Sequence, residues 1–312
     1  MLDAQLYDLI QSLWGGFAAA MGAARAREAD PPPAAPLLQL RAGLAESPGW
    51  FLVQAAEFDP APLSVDRLRV RDIYASEGIV AALLELMATE KWFDRAGDDP
   101  RHADYALRFE GRAVLDRMHA NRRRWLGALG LPPAALRLEA VFADLIDRSL
   151  AAPDPPGTWC LAYSRQRAHL ADDSAAARLF QYVADFNAFR DDCHMASWRP
   201  LSVAGYAWEA FALVADGAGP TADALFDALA HRGYSVADYA AALADLRARG
   251  WIAAGDSGYA ITAAGRAVRD EAERQTNAAF YAPWEHLSAA ELLAVRDDIH
   301  ELNAALERIA AG

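Results

Sequence analysis

The chain has 312 residues, 54% hydrophobic and 23% charged, a balance that excludes disorder and is long enough for two or three modules. Its formal net charge is −13, which bears on partners because a DNA-binding protein must neutralise phosphates with Lys and Arg. Two cysteines, Cys160 and Cys193, lie in no CxxC pair, which argues against a disulfide framework or a thiolate zinc site. Abundant alanine and few strand-forming runs predict a mainly α fold with small β-ribbons.

The N-terminus, Met1-Leu-Asp-Ala-Gln-Leu-Tyr-Asp8, lacks the basic and apolar regions of a secretory signal, and no stretch approaches the roughly 18 apolar residues of a membrane span. A cytoplasmic location and no membrane partner are therefore expected. An N-terminal helix is predicted within residues 1–30, with Leu2, Leu6, Ile10, Leu13 and Phe17 along one face, followed by a proline-rich linker at 31–36.

Residues 37–152 are predicted to hold a first winged-helix unit with flanking helices. A helix over Ser76–Glu90 opens on a capping serine and turns Ile79, Val80, Leu83, Leu84 and Met87 to one side. Trp92-Phe93 then starts an extended segment, a polar turn spans 96–103, and Tyr105 begins the returning strand. A second break at Pro153-Asp-Pro-Pro-Gly157 precedes a central helical region, 159–216, with its main helix at about 174–198.

Residues 217–286 repeat the first pattern. Ser235–Arg249 is a helix with Val236, Tyr239, Ala240, Leu243 and Leu246 on one face, and Trp251-Ile252 opens a strand. The strongest internal match sets Tyr105-Ala-Leu-Arg-Phe-Glu-Gly-Arg-Ala-Val-Leu-Asp116 against Tyr259-Ala-Ile-Thr-Ala-Ala-Gly-Arg-Ala-Val-Arg-Asp270, identical at seven of twelve positions. Helix, strand, turn, strand, helix is the order of a winged helix, so tandem winged-helix units around a central helical region are expected. In 287–312, Leu292, Val295, Ile299, Leu302, Leu306 and Ile309 form a seam that packs along another helix, either within the chain or across a homodimer.

Phe189-Arg-Asp-Asp-Cys-His-Met-Ala196, Gly205-Tyr-Ala-Trp-Glu-Ala210 and Phe280-Tyr-Ala-Pro-Trp284, with the second winged helix between, resemble a bacterial helix-turn-helix family of uncharacterised proteins, mainly from actinomycetes. Its members share an Arg-x-x-x-His element, here Arg190 and His194, and a closing Pro-Trp. Both repeats are also similar to the winged helices of MarR-type regulators, which implies that the helix before each wing reads the major groove. Here those helices carry Glu77, Glu85 and Glu90, or Asp238 and Asp245, where base reading calls for Arg, Lys, Asn or Gln.

Residues 64–125 hold 12 Lys+Arg against 11 Asp+Glu, and 221–284 hold 6 against 8, so neither repeat is strongly basic. Positions placed to meet phosphate are Arg67, Arg69, Arg71, Arg101, His102, Arg247 and Arg249, with Arg122-Arg123-Arg124 further on. Asp191 and His194 share a helix face, with Arg190 and Asp192 beside them, and either jointly hold a metal or run acid–base chemistry or form with Arg190 a buried polar knot that pins the central helix. Trp198, Trp208 and Trp284 lie near the family motifs and either line an effector pocket with that group or fill the core.

No nucleophile elbow, phosphate loop or metal-ligand spacing is present, so no catalytic residue, metal or cofactor is assigned. His119 and His169, the other histidines of the central half, have no spacing that makes them converge. Tandem winged helices also occur in bacterial DNA glycosylases with a Gln-x-Gln element, but Ser164-Arg-Gln-Arg167 has one glutamine. The expected function is a winged-helix DNA-binding transcriptional regulator with a small-molecule effector pocket. The alternative is a winged-helix scaffold that does not read DNA and binds, sequesters or modifies an apolar or aromatic small molecule.

Overall fold

The computed structural model describes residues 4–28, 36–39, 47–152, 159–166 and 173–312. Most of the linker at 31–36, the break at 153–157, Leu2, Arg167 and His169 lie outside the described residues. In chain order the elements are α1 (Ala4–Ala26), α2 (Pro48–Phe58), α3 (Val65–Arg71), α4 (Glu77–Thr89), β1 (Phe93–Ala96), β2 (Asp104–Leu107), α5 (Phe109–Gly127), α6 (Pro133–Ala151), α7 (Trp159–Gln166), α8 (Ala175–Trp198), α9 (Gly205–Ala215), α10 (Ala222–Ala228), α11 (Val236–Ala248), β3 (Ile252–Gly255), β4 (Gly258–Ile261), α12 (Ala263–Tyr281) and α13 (Ala289–Ala311). The fold is mainly α, with two antiparallel two-stranded ribbons.

The chain forms two compact units, each discontinuous in sequence: Met1–Pro33, Val114–Ala196 and Gln275–Gly312 in one, Ala34–Ala113 and Ser197–Arg274 in the other. This differs from a division into five consecutive segments. The unit boundaries fall within α5, α8 and α12, between Ala113 and Val114, Ala196 and Ser197, and Arg274 and Gln275, where no proline or glycine marks the change.

The first unit is helical. Leu6, Ile10, Leu13 and Phe17 of α1 are buried, as their spacing predicts, beside Leu138, Phe142, Leu145 and Ile146 of α6 and Leu179, Val183, Phe186 and Phe189 of α8. Each such side chain contributes about 1.5–3 kcal/mol on burial. The α13 seam Leu292, Val295, Ile299, Leu302 and Leu306 is buried in the same core, with Ile309 packed against it, and α13 lies on α1 and α6. Arg137 of α6 grips Asp298 of α13 with Nε and Nη2 at 3.0 and 2.5 Å. The seam is thus used within the chain.

The second unit contains the winged-helix order twice. In the first, Ser76 caps α4 by accepting the Ile79 N–H at 3.2 Å, β1 pairs with β2 from Phe93 opposite Leu107, and Leu63 exchanges two backbone hydrogen bonds with Tyr105 at 2.8 and 2.9 Å. In the second, Ser235 and Asp238 cap α11 reciprocally, β3 pairs with β4, and Tyr259 donates its N–H to the Pro220 carbonyl at 2.7 Å. Proline has no N–H, so the second ribbon has one such bond where Leu63 makes two. Ala240 is exposed and Ala242 buried, a correction to the expected face of α11: Tyr239, Leu243 and Leu246 are large enough to set the helix's rotation and alanine is not.

The matched glycines have one physical cause. A Cβ on Gly111 would lie 2.5 Å from the Trp92 carbonyl oxygen, and one on Gly265 would lie 2.0 Å from that of Trp251. The helix after each ribbon therefore passes directly over the backbone that begins it. Gly265→Ala is expected to cost about 1–3 kcal/mol through forced backbone displacement, read from the urea midpoint at constant m. A shift equivalent to less than about 0.5 kcal/mol, the usual range of neutral surface changes, would show that the approach is not needed.

The two helix-turn-helix turns meet inside this unit. The Ser76 N–H donates to the Arg232 carbonyl at 2.8 Å, and the Arg232 guanidinium binds Asp72 at 3.1 Å and Glu209 at 2.7 Å while lying over the Tyr74 ring. Gly233 has φ +76°, and a Cβ there would meet Ser76 Oγ at 2.6 Å and Ile79 Cβ at 2.7 Å. Ion pairing and close packing thus tie the start of α4 to the turn before α11.

Candidate functional site

The outer face of α11 is open. Ala237, Asp238, Ala240, Ala241, Ala244, Asp245, Arg247 and Ala248 are exposed, whereas α4 exposes Glu77, Gly78, Ala82 and Thr89. An alanine face permits close approach and contact with a thymine methyl, but it supplies no bidentate donor–acceptor pair to a base edge. Glu77 and Glu85 on α4 are engaged by Arg69 and Arg95 at 2.7 and 2.8 Å.

Most of the cations expected to meet phosphate are used by the fold. Arg67 donates to the Pro62 carbonyl and lies over Phe58, and Arg71, almost enclosed, donates to Gln54 at 2.9 Å and faces Glu57 at 3.6 Å. Arg249 binds Asp245 at 2.8 Å and the carbonyls of Leu201 and Ser202 at 2.9 and 3.0 Å. In the first wing His102 Nδ1 lies 2.9 Å from Asp99, whose carboxyl is held below its usual range first by the Arg101 backbone N–H and then by His102. Of the candidate positions, Arg101 and Arg247 are exposed and make no ion pair, and the same holds for Arg266 at the start of α12. Arg123 and Arg124 pair with Asp173 and Glu28, and Arg122 lies over Phe180, which removes that run from the candidates.

The six expected effector residues are distributed over both units. Arg190 lies 4.2 Å above the Tyr7 ring and 5.5 Å from Phe280, and donates to Asn277 Oδ1 at 2.9 Å. Half-buried His194 approaches Thr276 Oγ1 at 3.4 Å, and Asp191 is exposed. Arg190 and His194 thus both reach α12, in the manner of a polar knot. Trp284 is fully buried with Phe186 at 5.5 Å. In the other unit Trp198 and Trp208 stack at 5.5 Å and 10°, both at least 98% enclosed.

A further polar group fastens α7 to α8. Asp192 accepts the backbone N–H groups of Cys160 and Leu161 at 2.8 and 3.0 Å, where the free donors of a helix start favour a carboxylate. Two turns earlier on α8, Asp185 is fully buried and accepts from Ser164 Oγ at 2.6 Å, Gln181 Nε2 at 2.7 Å and Arg165 Nη1 at 2.9 Å. Burial pushes the Asp185 carboxyl above its usual range, and those three donors oppose the shift. The i, i+4, i+11 spacing of Gln181, Asp185 and Asp192 on one helix was the available sequence signal, obscured because their partners Cys160, Leu161, Ser164 and Arg165 lie on a separate helix whose arrival no spacing announces.

No helix among the described residues is long and apolar enough to cross a membrane. No curated protein and no solved structure matches the chain. A helix-turn-helix family model matches residues 107–311, from the end of β2 through the whole second winged helix into α13, leaving α2 to α4 outside. By that match over most of its length, the chain belongs to this helix-turn-helix family, whose fold suggests a DNA-binding regulator in general.

Proposed function

We propose that the protein is a winged-helix transcriptional regulator that meets DNA through α11 of its second winged helix, by backbone and groove-shape contact, and responds to a small-molecule effector. The observation that carries this reading is the open outer face of α11 within the family-matched region. Arg247 on that face, Arg266 at the start of α12 and Arg101 in the first wing are cations open to phosphate. The MarR-like character and the internal duplication belong to the same reading, supported by the repeated element order and the matched Tyr-Ala and Gly-Arg-Ala-Val segments.

A contact that rests on three arginines implies a shallow salt dependence. Each phosphate neutralised contributes about −0.9 to the slope of log K against log salt, so contact through Arg101, Arg247 and Arg266 gives about −3 per chain. Fluorescence anisotropy with genomic duplexes across a salt series measures this slope. Each Arg→Gln change is expected to reduce it by about 1. Folded, monodisperse protein that shows no salt-sensitive retention of any fragment would reject DNA binding.

The second reading, a scaffold that binds a small molecule without reading DNA, is favoured by the fastening of the α4 start to the Arg232 turn and by Asp238 and Asp245 on α11. A flat salt series together with a positive ligand response selects it.

A further inference from the structure

The two junctions between helix and ribbon share a backbone and differ in side chain. After α4 the Lys91 N–H donates to the Ala88 carbonyl at 3.0 Å, and the Trp92 N–H donates to the Met87 carbonyl at 2.9 Å. After α11 Gly250 and Trp251 make the same two bonds, to Arg247 at 2.9 Å and Leu246 at 3.0 Å. Lys91 has φ +62° and Gly250 φ +74°, the left-handed residue that closes a helix in this way. Glycine adopts that conformation freely, whereas a Cβ there crowds the neighbouring carbonyl. The second junction carries the residue that the backbone favours, and the first does not.

Charge does not account for the exception. Of the 30 Lys and Arg residues 29 are arginine, and Lys91 is the only lysine in the sequence. A cation after the last turn complements the negative end of a helix, but arginine supplies that as well as lysine does. Glycine would relieve the backbone and arginine would keep the charge; neither brings a primary amine. An amine can give up its proton and act as a nucleophile, whereas a guanidinium stays charged. Lys91 is exposed, so that amine is open to a reagent.

The surface beside Lys91 differs between the two copies in the same direction. The Arg108 N–H donates to the Trp92 carbonyl at 2.9 Å and Gly111 lies against that carbonyl, which sets the start of α5 next to Lys91. The Glu110 carboxyl there is held below its usual range chiefly by Arg108, with a smaller contribution from Lys91. Phe109 is 81% exposed, the most exposed large apolar side chain among the described residues, and its match in the second copy is Ala263. The first junction thus presents an amine and an aromatic ring where the second presents glycine and alanine.

We propose that Lys91 is an acylation site, modified by transfer from an acyl thioester, with Phe109 the apolar contact through which the transferring enzyme recognises it. The ammonium first releases a proton to solvent. The neutral Nζ then attacks the thioester carbonyl carbon, an N–C bond forms, the C–S bond breaks, and the sulfur leaves as the thiol with the second proton that the nitrogen gives up. The product amide is uncharged, so the cation at the end of α4 is lost. This goes beyond the DNA reading above and does not depend on it.

The test is mass-spectrometric peptide mapping of the full-length protein purified from the cells that make it, in exponential and stationary growth. Trypsin does not cut after an acylated lysine, so the expected signal is an acyl mass on the peptide that runs uncut through Lys91. Lys91→Arg, which keeps the charge, should lack that signal. Phe109→Ala should lower the acylated fraction about tenfold, the scale of one lost anchor in a recognition contact. Lys91→Gly should raise the urea midpoint of the purified protein, because glycine suits the left-handed position.

Lys91 unmodified in both growth phases, or an acyl mass confined to the N-terminal amine, would overturn the site. An undiminished acylated fraction in Phe109→Ala would overturn the recognition contact. An unchanged or lower midpoint for Lys91→Gly would show that the backbone does not favour glycine there and remove the ground for the inference. None of these results bears on the salt series, so failure of the acylation site and failure of the DNA reading are separable.

Discussion

Asp185→Ala is expected to destabilise the helical unit by about 3–5 kcal/mol, the usual cost of removing one partner from a buried charged group. The carboxyl is fully enclosed and accepts from Ser164, Gln181 and Arg165, so truncation strips an acceptor from the buried Ser164 hydroxyl and Gln181 amide and from the Arg165 guanidinium. The loss should appear in urea denaturation monitored by far-UV circular dichroism. Because Ser164 and Arg165 both belong to α7, protection of α7 amides from hydrogen exchange should fall first. A loss below about 1 kcal/mol, typical of exposed ion pairs, would contradict the enclosed geometry.

Asp185 also predicts a pH dependence with a definite sign. Its folded-state carboxyl titrates above the unfolded value because desolvation exceeds the stabilisation from its donors. The folded form therefore holds its proton more firmly. The stability this supplies is fully present below the unfolded pKa and is lost as pH rises through the raised folded value. Asp185→Asn, which keeps an acceptor for Ser164 and Gln181, should cost less than alanine and flatten stability over that acidic window. An unchanged pH profile in the asparagine variant would assign the dependence to other groups.

Trp284→Ala is the second large effect, about 3–5 kcal/mol as for other buried aromatic truncations. Trp284 is fully buried in the core shared by α1, α6, α8 and α13, against Phe186 and Tyr281, so truncation removes an indole enclosed on all sides. A residue lining an open pocket would lose much less, since water or ligand replaces part of the contact. Chemical denaturation of Trp284→Ala alongside Trp284→Phe therefore separates the two roles sequence reasoning left open. A cost under about 1.5 kcal/mol, the scale of a volume-conserving core swap, would return Trp284 to the pocket candidates.

The two like-ordered segments, helix, ribbon, helix, were legible from particular residues. Ser76 and Ser235 cap their helices, Trp92 and Trp251 open the ribbons, and Gly111 and Gly265 match because each lies against the tryptophan carbonyl that starts the same ribbon. These are local constraints, spaced within one supersecondary unit, and period and turn chemistry report them directly. The phosphate candidates were less legible. Arg67, Arg69, Arg71 and Arg249 have the right composition and position along the chain, yet their partners, from Pro62 to Ser202, include residues whose proximity no spacing announces.

The −13 charge, the alanine content, the apolar faces of α1 and α13 and the winged-helix order, which appears twice, were set by the amino-acid sequence alone, because burial of a periodic face and capping of a helix are decided within a few turns. Tertiary structure decided what those elements are for. It consumed the α13 seam against α1 and α6, joined the two helix-turn-helix turns through Arg232 and buried Asp185 beneath α7. Those outcomes depend on which distant segment supplies the partner, and a charge is free, paired or stranded only once that segment has arrived.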